Sequence, residues 1–452
     1  MNKLNRFFEI EENASTVRRE VIGGLTTFAT MSYIVFVQPT IMSIAGMPFG
    51  SALLATCLAS AVGCFLMGFI ARYPFALAPG MGANFFFAFA VCGTMGFSWQ
   101  AGLAMVFIAG LLFLFLSLFG ARERLMDILP ECLKNSIGPA IGMFIAFIGF
   151  QWSGIIVLDS ATMVRLSDLH SGPPLITIAG VLLIVVLMAR EVRSAILIGI
   201  VFSLGANFAA GVLEWPEAVP GLSGETFFSL AFSELGERWD DALVAIALFF
   251  FLDLFDTIGT LVGVGKQAGY IPEGGTLPRA SRAFFSDAAA TCAGALFGTS
   301  TVTTYIESST GVAAGARTGL AAVTTGLCFL AAPILFPLVR LAGQNVGPEY
   351  YEALGIENAL VSMYPAVAPA MIVVGMLMLS PLRHVAWQDV TEALPAFLTI
   401  MMMVFGYGIT EGVAMGCISF AVVKTLSGRA KEVNPIMYLI AIALVARYAF
   451  LK

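Results

Sequence analysis

Apolar runs cover most of this chain. Each is long enough to enter a lipid bilayer, and they follow one another from Glu20 to Phe450. Of the 452 residues, 59% are hydrophobic and only 12% are charged, whereas a soluble domain carries about 25% charged residues. Because a helix needs about 20 apolar residues to cross a bilayer, the pattern predicts a polytopic helical protein embedded in the lipid bilayer. The net charge of -6 argues against a nucleic-acid partner.

A polar stretch, Glu214–Asp241, divides the apolar runs into two halves of similar size. If each half has seven spans and the N-terminus is cytoplasmic, most of the 23 Lys and Arg residues fall on the cytoplasmic side, as the positive-inside rule requires. Because the first half has an odd number of spans, the second half crosses the membrane in the opposite orientation. The charges therefore predict an inverted repeat, and the predicted location is the plasma membrane, the inner membrane of a bacterium.

The stretch Gly298–Gly319 combines the signals of a strand and of a helix. Thr299–Ile306 is rich in β-branched and aromatic residues, which predicts a short strand before Glu307. Three glycines then recur at every fourth position, which predicts one helix with a smooth face: Gly311, Gly315 and Gly319. A strand that breaks into a helix inside a membrane must be buried in protein or line a cavity. The start of such a helix directs N–H groups and positive charge at its surroundings, so this stretch is predicted to form half of a substrate site.

The first half contains a weaker copy of this pattern. Two pairs of glycines are separated by the same interval: Gly63 with Gly80, and Gly294 with Gly311. Aligning them makes Tyr73–Ala78 equivalent to Thr304–Ser309 and predicts a second segment that breaks and restarts as a helix. Paired interrupted segments in corresponding positions indicate the binding site of a transporter.

Four carboxylates lie inside three apolar runs of the second half, at about 241–264, 284–297 and 301–316: Asp253, Asp256, Asp287 and Glu307. Asp253 and Asp256 stand at i and i+3 and therefore share a helix face. No Lys or Arg lies inside these runs away from their ends, so pairing with a cation purely for packing is the weaker interpretation. Buried acids without a cationic partner hold protons readily, which suits proton transport. For Asp287 the alternative is a solvated position near a helix end.

Candidates for metal binding or catalysis are scarce. The seven cysteines lie mainly within apolar runs and show no CxxC spacing. The two histidines, His170 and His384, are far apart in the sequence. The sequence therefore predicts no metal, no cofactor other than a coupling proton, and no enzymatic activity.

Three motifs resemble the azaguanine-permease-like branch of the nucleobase–cation symporters, the nucleobase–ascorbate transporter family. They are ALAPGMGAN at Ala76–Asn84, FDTIGTLVGVGKQAG at Phe255–Gly269 and TSTVTTYIESSTGVAAGARTG at Thr299–Gly319. The resemblance runs along nearly the whole chain. It implies an all-α polytopic fold with 14 transmembrane segments in a 7+7 inverted repeat, short strands opening segments 3 and 10, and a homodimer.

The resemblance also implies two domains, each built from both halves of the chain. The core domain comprises residues 1–120 and 241–340, and the gate domain comprises residues 121–213 and 341–452. Residues 214–240 form an extracytoplasmic connector.

The resemblance assigns roles to individual residues. Asp256 and Glu307 match the positions in segments 8 and 10 that bind the base, and Asp287 matches a segment-9 aspartate needed for transport. Thr260 stands where uracil permeases have a histidine, so that histidine's role does not transfer. Four further residues complete the predicted substrate site: Asn84, Thr260, Tyr305 and Ser308. Asp253 is the second candidate for proton coupling.

The predicted function is import of a purine base by proton symport with alternating access, with guanine or hypoxanthine favoured over adenine. The common GLNA motif of this branch is GANF at Gly82–Phe85, which leaves the substrate open to adenine, xanthine, urate or uracil. The main rival is an anion exchanger of the same fold, but carboxylates without a basic neighbour would repel an anion. A membrane-embedded enzyme and a channel are further rivals, and neither explains two interrupted segments around acidic residues.

Overall fold

The computed structural model describes residues 3–119, 129–216, 221–271, 277–353 and 363–450. Within these ranges, eight helices are long and apolar enough to cross a bilayer. The prediction of a polytopic helical membrane protein is therefore confirmed. The count of 14 segments and their inverted repeat stay predictions.

The helices of the first half are α1 (Lys3–Phe7), α2 (Val17–Met31), α3 (Ile34–Ile44), α4 (Phe49–Leu66), α5 (Met81–Phe85), α6 (Trp99–Phe119), α7 (Glu131–Trp152), α8 (Gly172–Ala189) and α9 (Ala195–Ala209). The helices of the second half are α10 (Phe232–Glu237), α11 (Trp239–Gln267), α12 (Ala280–Phe297), α13 (Ser308–Ala313), α14 (Gly319–Ala331), α15 (Phe336–Ala342), α16 (Pro348–Ala353), α17 (Ala368–Leu377), α18 (Val390–Phe405), α19 (Ile409–Leu426) and α20 (Pro435–Phe450). The strands are β1 (Leu77–Pro79), β2 (Ile156–Asp159), β3 (Met163–Leu166) and β4 (Val302–Thr304).

Strands β1 and β4 pair with each other in antiparallel register, with Leu77 opposite Thr304 and Pro79 opposite Val302. All six strand residues are buried. Strand β4 lies within the predicted strand Thr299–Ile306 and is shorter. Strands β1 and β4 satisfy each other's backbone hydrogen-bonding groups, which lipid cannot do. The two interrupted segments therefore meet inside the protein.

The alignment drawn from the glycine pairs is wrong at the strands. It makes Tyr73–Ala78 equivalent to Thr304–Ser309, whereas the structure makes β1 the counterpart of β4. The cause is the extra helical turn Met67–Ala71, a π-helix that follows α4 and lengthens the path to β1. Helix α12 has no such extension and ends at Phe297.

The prediction of one helix through Gly311, Gly315 and Gly319 is also wrong. Helix α13 ends at Ala313, and Gly315 adopts a φ of +106°. A positive φ is open to glycine and costly for other residues, so it ends a helix. Helix α14 then begins at Gly319, and the three glycines do not form one helical face.

Glu20, a buried residue of α2, fixes the start of α14. Its carboxylate oxygens accept hydrogen bonds from the backbone N–H of Arg317 at 2.9 Å and of Thr318 at 3.0 Å. The hydroxyl of Ser15 donates a third bond at 2.5 Å. A carboxylate at a helix start satisfies N–H groups that have no partner within the helix. Residues near the beginning of the chain thus hold in place the segment that follows β4 and α13.

The chain divides into two compact units. One comprises Met1–Leu118 and Gly149–Ala370, and the other comprises Phe119–Ile148 and Met371–Lys452. The four predicted carboxylates and the β1–β4 pair all belong to the first unit. The division into core and gate domains at residues 120, 213, 240 and 340 stays a prediction.

Candidate substrate and proton site

Asp256 presents its carboxylate beside the β1–α5 junction. The side chain projects from the middle of α11, and its Oδ2 lies 3.5 Å from the point that a Cβ on Gly80 would occupy. Although α11 is a membrane-spanning helix, the side chain of Asp256 is exposed. It has no hydrogen-bond partner among the described residues, so both oxygens are available to a ligand.

Glu307 follows β4 and stands immediately before α13. One carboxylate oxygen, Oε1, accepts a hydrogen bond from the hydroxyl of Tyr33 at 2.8 Å. The side chain is half-buried. The sequence predicts that the start of the following helix directs positive charge at Glu307, but α13 has only six residues. Among the described residues, Tyr33 is the side chain that donates a hydrogen bond to Glu307.

The two carboxylates face a common region. Asp256 and Glu307 lie close enough for their charges to interact, and both lie near Tyr33 and Tyr305. The arrangement brings α11, the β4–α13 turn and the junction of α2 and α3 to one place. A flat polar molecule placed between the carboxylates could donate N–H groups to both of them.

Three other predicted substrate residues bind the protein's own backbone or side chains. The hydroxyl of Tyr305 donates to the carbonyl of Pro79 at 2.5 Å, and Ser308 Oγ accepts from the N–H of Ala76 at 2.9 Å. Asn84 is buried, and its Oδ1 accepts a hydrogen bond from Ser300. These bonds join the β1–α5 segment to the β4–α13 segment. Contact of the three side chains with substrate stays a prediction.

Thr260, the remaining predicted substrate residue, lies one helical turn after Asp256 on α11 and is buried.

Asp287 lies on α12 and is fully buried. Its Oδ2 accepts from the hydroxyl of Thr257 at 2.6 Å, and its Oδ1 accepts from the hydroxyl of Thr304 at 2.9 Å. The alternative of a solvated residue at a helix end is therefore wrong. Asp287 joins α11, α12 and β4.

Asp253 is also buried, at 2% exposure, but its surroundings are poorer in donors. Its Oδ2 lies 2.9 Å from the hydroxyl of Thr291, and its Oδ1 has no partner among the residues that the structure describes. The same Thr291 hydroxyl lies 3.0 Å from the carbonyl oxygen of Val302. Asp253 and Asp287 are close enough for their charges to interact.

The ion pairs among the described residues involve carboxylates outside this group. Near the N-terminus, for example, Glu9 pairs with Arg72 and Arg279. Burial would raise the pKa of Glu9, but the two arginines lower it below its usual value. Across the described ranges, no three His, Cys, Asp or Glu side chains are grouped as a metal site would require.

Sequence reasoning missed the hydroxyls that donate hydrogen bonds to three of the four acids, Asp253, Asp287 and Glu307. Tyr33 contacts Glu307 across 274 positions of sequence, and Thr291 contacts Asp253 across 38. Thr257 and Thr304 stand within motifs already identified, so these two residues carried a local signal. The others have no signal in a single sequence, because each partner is brought close only by the fold.

Two interrupted segments that meet beside carboxylates inside a helical membrane protein are typical of secondary transporters. A solved structure, the transmembrane domain of the bicarbonate transporter BicA from a cyanobacterium, has the same fold: its TM-score is 0.61 over 88% of this chain and 96% of that one, at 12% sequence identity. At that identity the likeness concerns the fold alone.

The model of the Permease family matches residues 18–347. Across 99% of this chain and 100% of its own length, the guanine/hypoxanthine permease PbuG of Bacillus subtilis is 43% identical. The adenine permease AdeP of Escherichia coli is 38% identical over 99% of this chain and 96% of its own length. The chain therefore belongs to the nucleobase–ascorbate transporter family of permeases and is not an enzyme.

Proposed function

We propose that this protein imports a purine base together with protons by alternating access. The observation that carries the proposal is the pair Asp256 and Glu307: Asp256 has no partner among the described residues and Glu307 uses one oxygen for Tyr33. The pair therefore offers hydrogen-bond acceptors to a flat molecule rich in N–H donors. The names of relatives that match the chain end to end, guanine/hypoxanthine and adenine permeases, support a purine substrate.

Guanine and hypoxanthine are the proposed preferred substrates. An ionised carboxylate only accepts hydrogen bonds, so ionised Glu307 suits N–H donors of these two bases. Adenine combines a donor with an adjacent acceptor and would need a protonated acid. The hydroxyl of Tyr33, donating to Oε1, favours the ionised form of Glu307. Adenine outcompeting both bases at neutral pH would overturn this preference.

The coupling proton is proposed to reside on the pair Asp253 and Asp287. The hydroxyl of Thr291 has one hydrogen but two acceptors within reach, Asp253 Oδ2 and the carbonyl oxygen of Val302. Asp253 Oδ2, the Thr291 hydroxyl and the Val302 carbonyl are all satisfied when Oδ2 carries a proton, because Oδ2 then donates to Thr291 and Thr291 donates to Val302. Asp287 receives two hydroxyl hydrogens and is satisfied as an anion. The donor count therefore favours the proton on Asp253 in this conformation.

Asp287 is proposed to take the proton at another point of the cycle. Its distance from Asp253 allows the two charges to interact, and two unpaired anions in one buried group would be costly. A proton that relieves this cost can favour base binding in the same conformation, as linkage between two ligands requires. The N-terminus is proposed to be cytoplasmic, in a bacterial inner membrane, and the protein to be a homodimer.

Uptake of labelled hypoxanthine tests the proposal. The full chain is expressed in cells that lack their own purine uptake, and accumulation is measured with and without a protonophore. We expect accumulation above the external concentration that the protonophore abolishes. Accumulation that is insensitive to the protonophore would contradict proton symport. Exchange of sulfate or bicarbonate without base uptake would instead favour the anion exchanger.

A further inference from the structure

Tyr33 occupies the break between α2 and α3. Helix α2 ends at Met31, Ser32 and Tyr33 form a turn, and α3 begins at Ile34. A tyrosine in such a position would normally be a packing residue, since its side chain is only 2% exposed. Its hydroxyl, however, donates to Glu307 Oε1 at 2.8 Å.

The contact between Tyr33 and Glu307 is held by the packing of α2 against α13. A Cβ on Gly311 would stand 2.7 Å from the carbonyl oxygen of Gly23, so the two backbones touch. About two turns further along α2, the hydroxyl of Thr30 lies 2.9 Å from the hydroxyl of Thr310. This packing places the turn that carries Tyr33, which follows α2, beside Glu307, which precedes α13.

No other side chain supplies this hydrogen bond to Glu307 in the described part of the site. The ring of Tyr305 lies 6.5 Å from the ring of Tyr33, but the hydroxyl hydrogen of Tyr305 goes to the carbonyl of Pro79 at 2.5 Å. Asp256 is an acceptor when ionised and would repel a charged Glu307. Three titratable groups therefore face Glu307. Tyr33 donates a hydrogen bond to it, whereas Tyr305 and Asp256 do not.

We propose that Tyr33 is a specificity-determining positioning residue: by occupying Oε1 of Glu307 and stabilising its ionised form, it leaves Oε2 to accept N–H groups of guanine or hypoxanthine. Adenine, which needs a donor from Glu307, is disfavoured as a result. The inference rests on the proposed function, because it presumes that Glu307 contacts a purine base. It adds a residue outside the motifs that indicate the substrate site.

The test is Tyr33→Phe, which removes the hydroxyl and keeps the ring. Equilibrium binding of labelled hypoxanthine to the purified full chain is competed with guanine and with adenine at several pH values. We expect the preference for hypoxanthine over adenine to fall by about tenfold or more, as loss of a hydrogen bond to a charged acceptor implies. The hydroxyl favours ionised Glu307, so Glu307 should become protonated at a higher pH in the variant than in the unaltered protein. When the pH is lowered, the variant should therefore lose hypoxanthine binding first.

The matched control is Tyr351→Phe. Tyr351 is fully buried, and its hydroxyl has no partner in the described structure. Its removal should leave the preference and the pH profile unchanged. An equal loss of affinity for all bases in Tyr33→Phe would mark a merely structural role and overturn the inference, as would an unchanged preference.

A double substitution separates positioning from packing. With Glu307→Gln already present, adding Tyr33→Phe should not change the preference further, because the residue through which Tyr33 acts is gone. Additive effects in this cycle, measured at high base concentration, would overturn the inference. If the unaltered protein binds no purine, the proposed function itself fails, whereas normal purine binding with additive effects overturns the role of Tyr33 alone.

Discussion

Thr291 bonds to both backbone polar groups of Val302. Its Oγ1 accepts the N–H of Val302 at 3.1 Å and lies 3.0 Å from the carbonyl oxygen of the same residue. Val302 stands opposite Pro79, which has no N–H to donate. Thr291 of α12 thus binds the backbone groups at this end of β4 to which β1 supplies no partner.

Thr291→Val should destabilise the protein. The substitution keeps the shape of the side chain but leaves two buried backbone groups of Val302 without a partner, at a cost of about 1–3 kcal/mol each. Thermal unfolding in detergent, followed for both proteins under the same conditions, measures the effect. Thr291→Ser restores the hydroxyl and should recover most of the stability. A Val variant as stable as the unaltered protein would mean that Val302 finds other partners.

Asp256→Asn and Glu307→Gln should each abolish high-affinity uptake. A hydrogen bond to a charged acceptor contributes about 1.5–3 kcal/mol, so the apparent affinity should fall roughly ten- to hundredfold. Initial uptake rates at low concentrations of labelled hypoxanthine, with surface expression measured in parallel, give the result. Transport at the unaltered rate by either variant would remove that residue from the substrate site.

Asp287→Asn should separate binding from coupling. The amide imitates the protonated acid, so base binding should survive and depend less on pH. Accumulation driven by a proton gradient should be lost, because the residue can no longer exchange a proton. Binding to purified protein and accumulation in proteoliposomes are the two measurements. Normal accumulation would shift the proton role to Asp253, Asp256 or Glu307.

Gly319→Ala should prevent correct folding or lower the yield of folded protein. A Cβ at this position would stand 2.1 Å from the carbonyl oxygen of Gly68, so the backbones would have to move apart. Gly205→Ala is the control: Gly205 lies on α9 with open space around its Cβ position, and alanine favours a helix by roughly 0.5–1 kcal/mol. Size-exclusion profiles of the two variants give the comparison, and equal profiles would contradict the close approach.

The sequence predicted those parts of the site that depend on local composition. The β-branched run before Glu307 indicated a strand, and acids within apolar runs indicated a functional group. The residue alignment between the halves failed because the turn Met67–Ala71 shifts one copy relative to the other, and glycine spacing alone does not detect such a shift. The prediction of a single helix through Gly315 was wrong because the spacing of glycines in the sequence does not reveal the sign of their φ angles.

The predicted roles of Asn84 and Ser308 illustrate a second limit. Both stand in motifs that contain the strands β1 and β4, but both have partners within the protein. Asn84 binds Ser300, and Ser308 binds the backbone of Ala76. A polar residue near a site can bind ligand or hold the site's shape, and sequence alone does not distinguish these uses. Tyr33 is the converse case, since a contact across 274 positions has no local signature.

The pairing of β1 with β4 has a consequence for biosynthesis. At about 5–20 residues per second, a ribosome that has made Leu77–Pro79 needs roughly 10–45 s to reach Val302–Thr304. During that interval the first strand has no partner, and exposed backbone groups in lipid cost several kcal/mol each. We therefore expect this segment to be sheltered by the insertion machinery, or kept out of the bilayer, until the second half of the chain arrives.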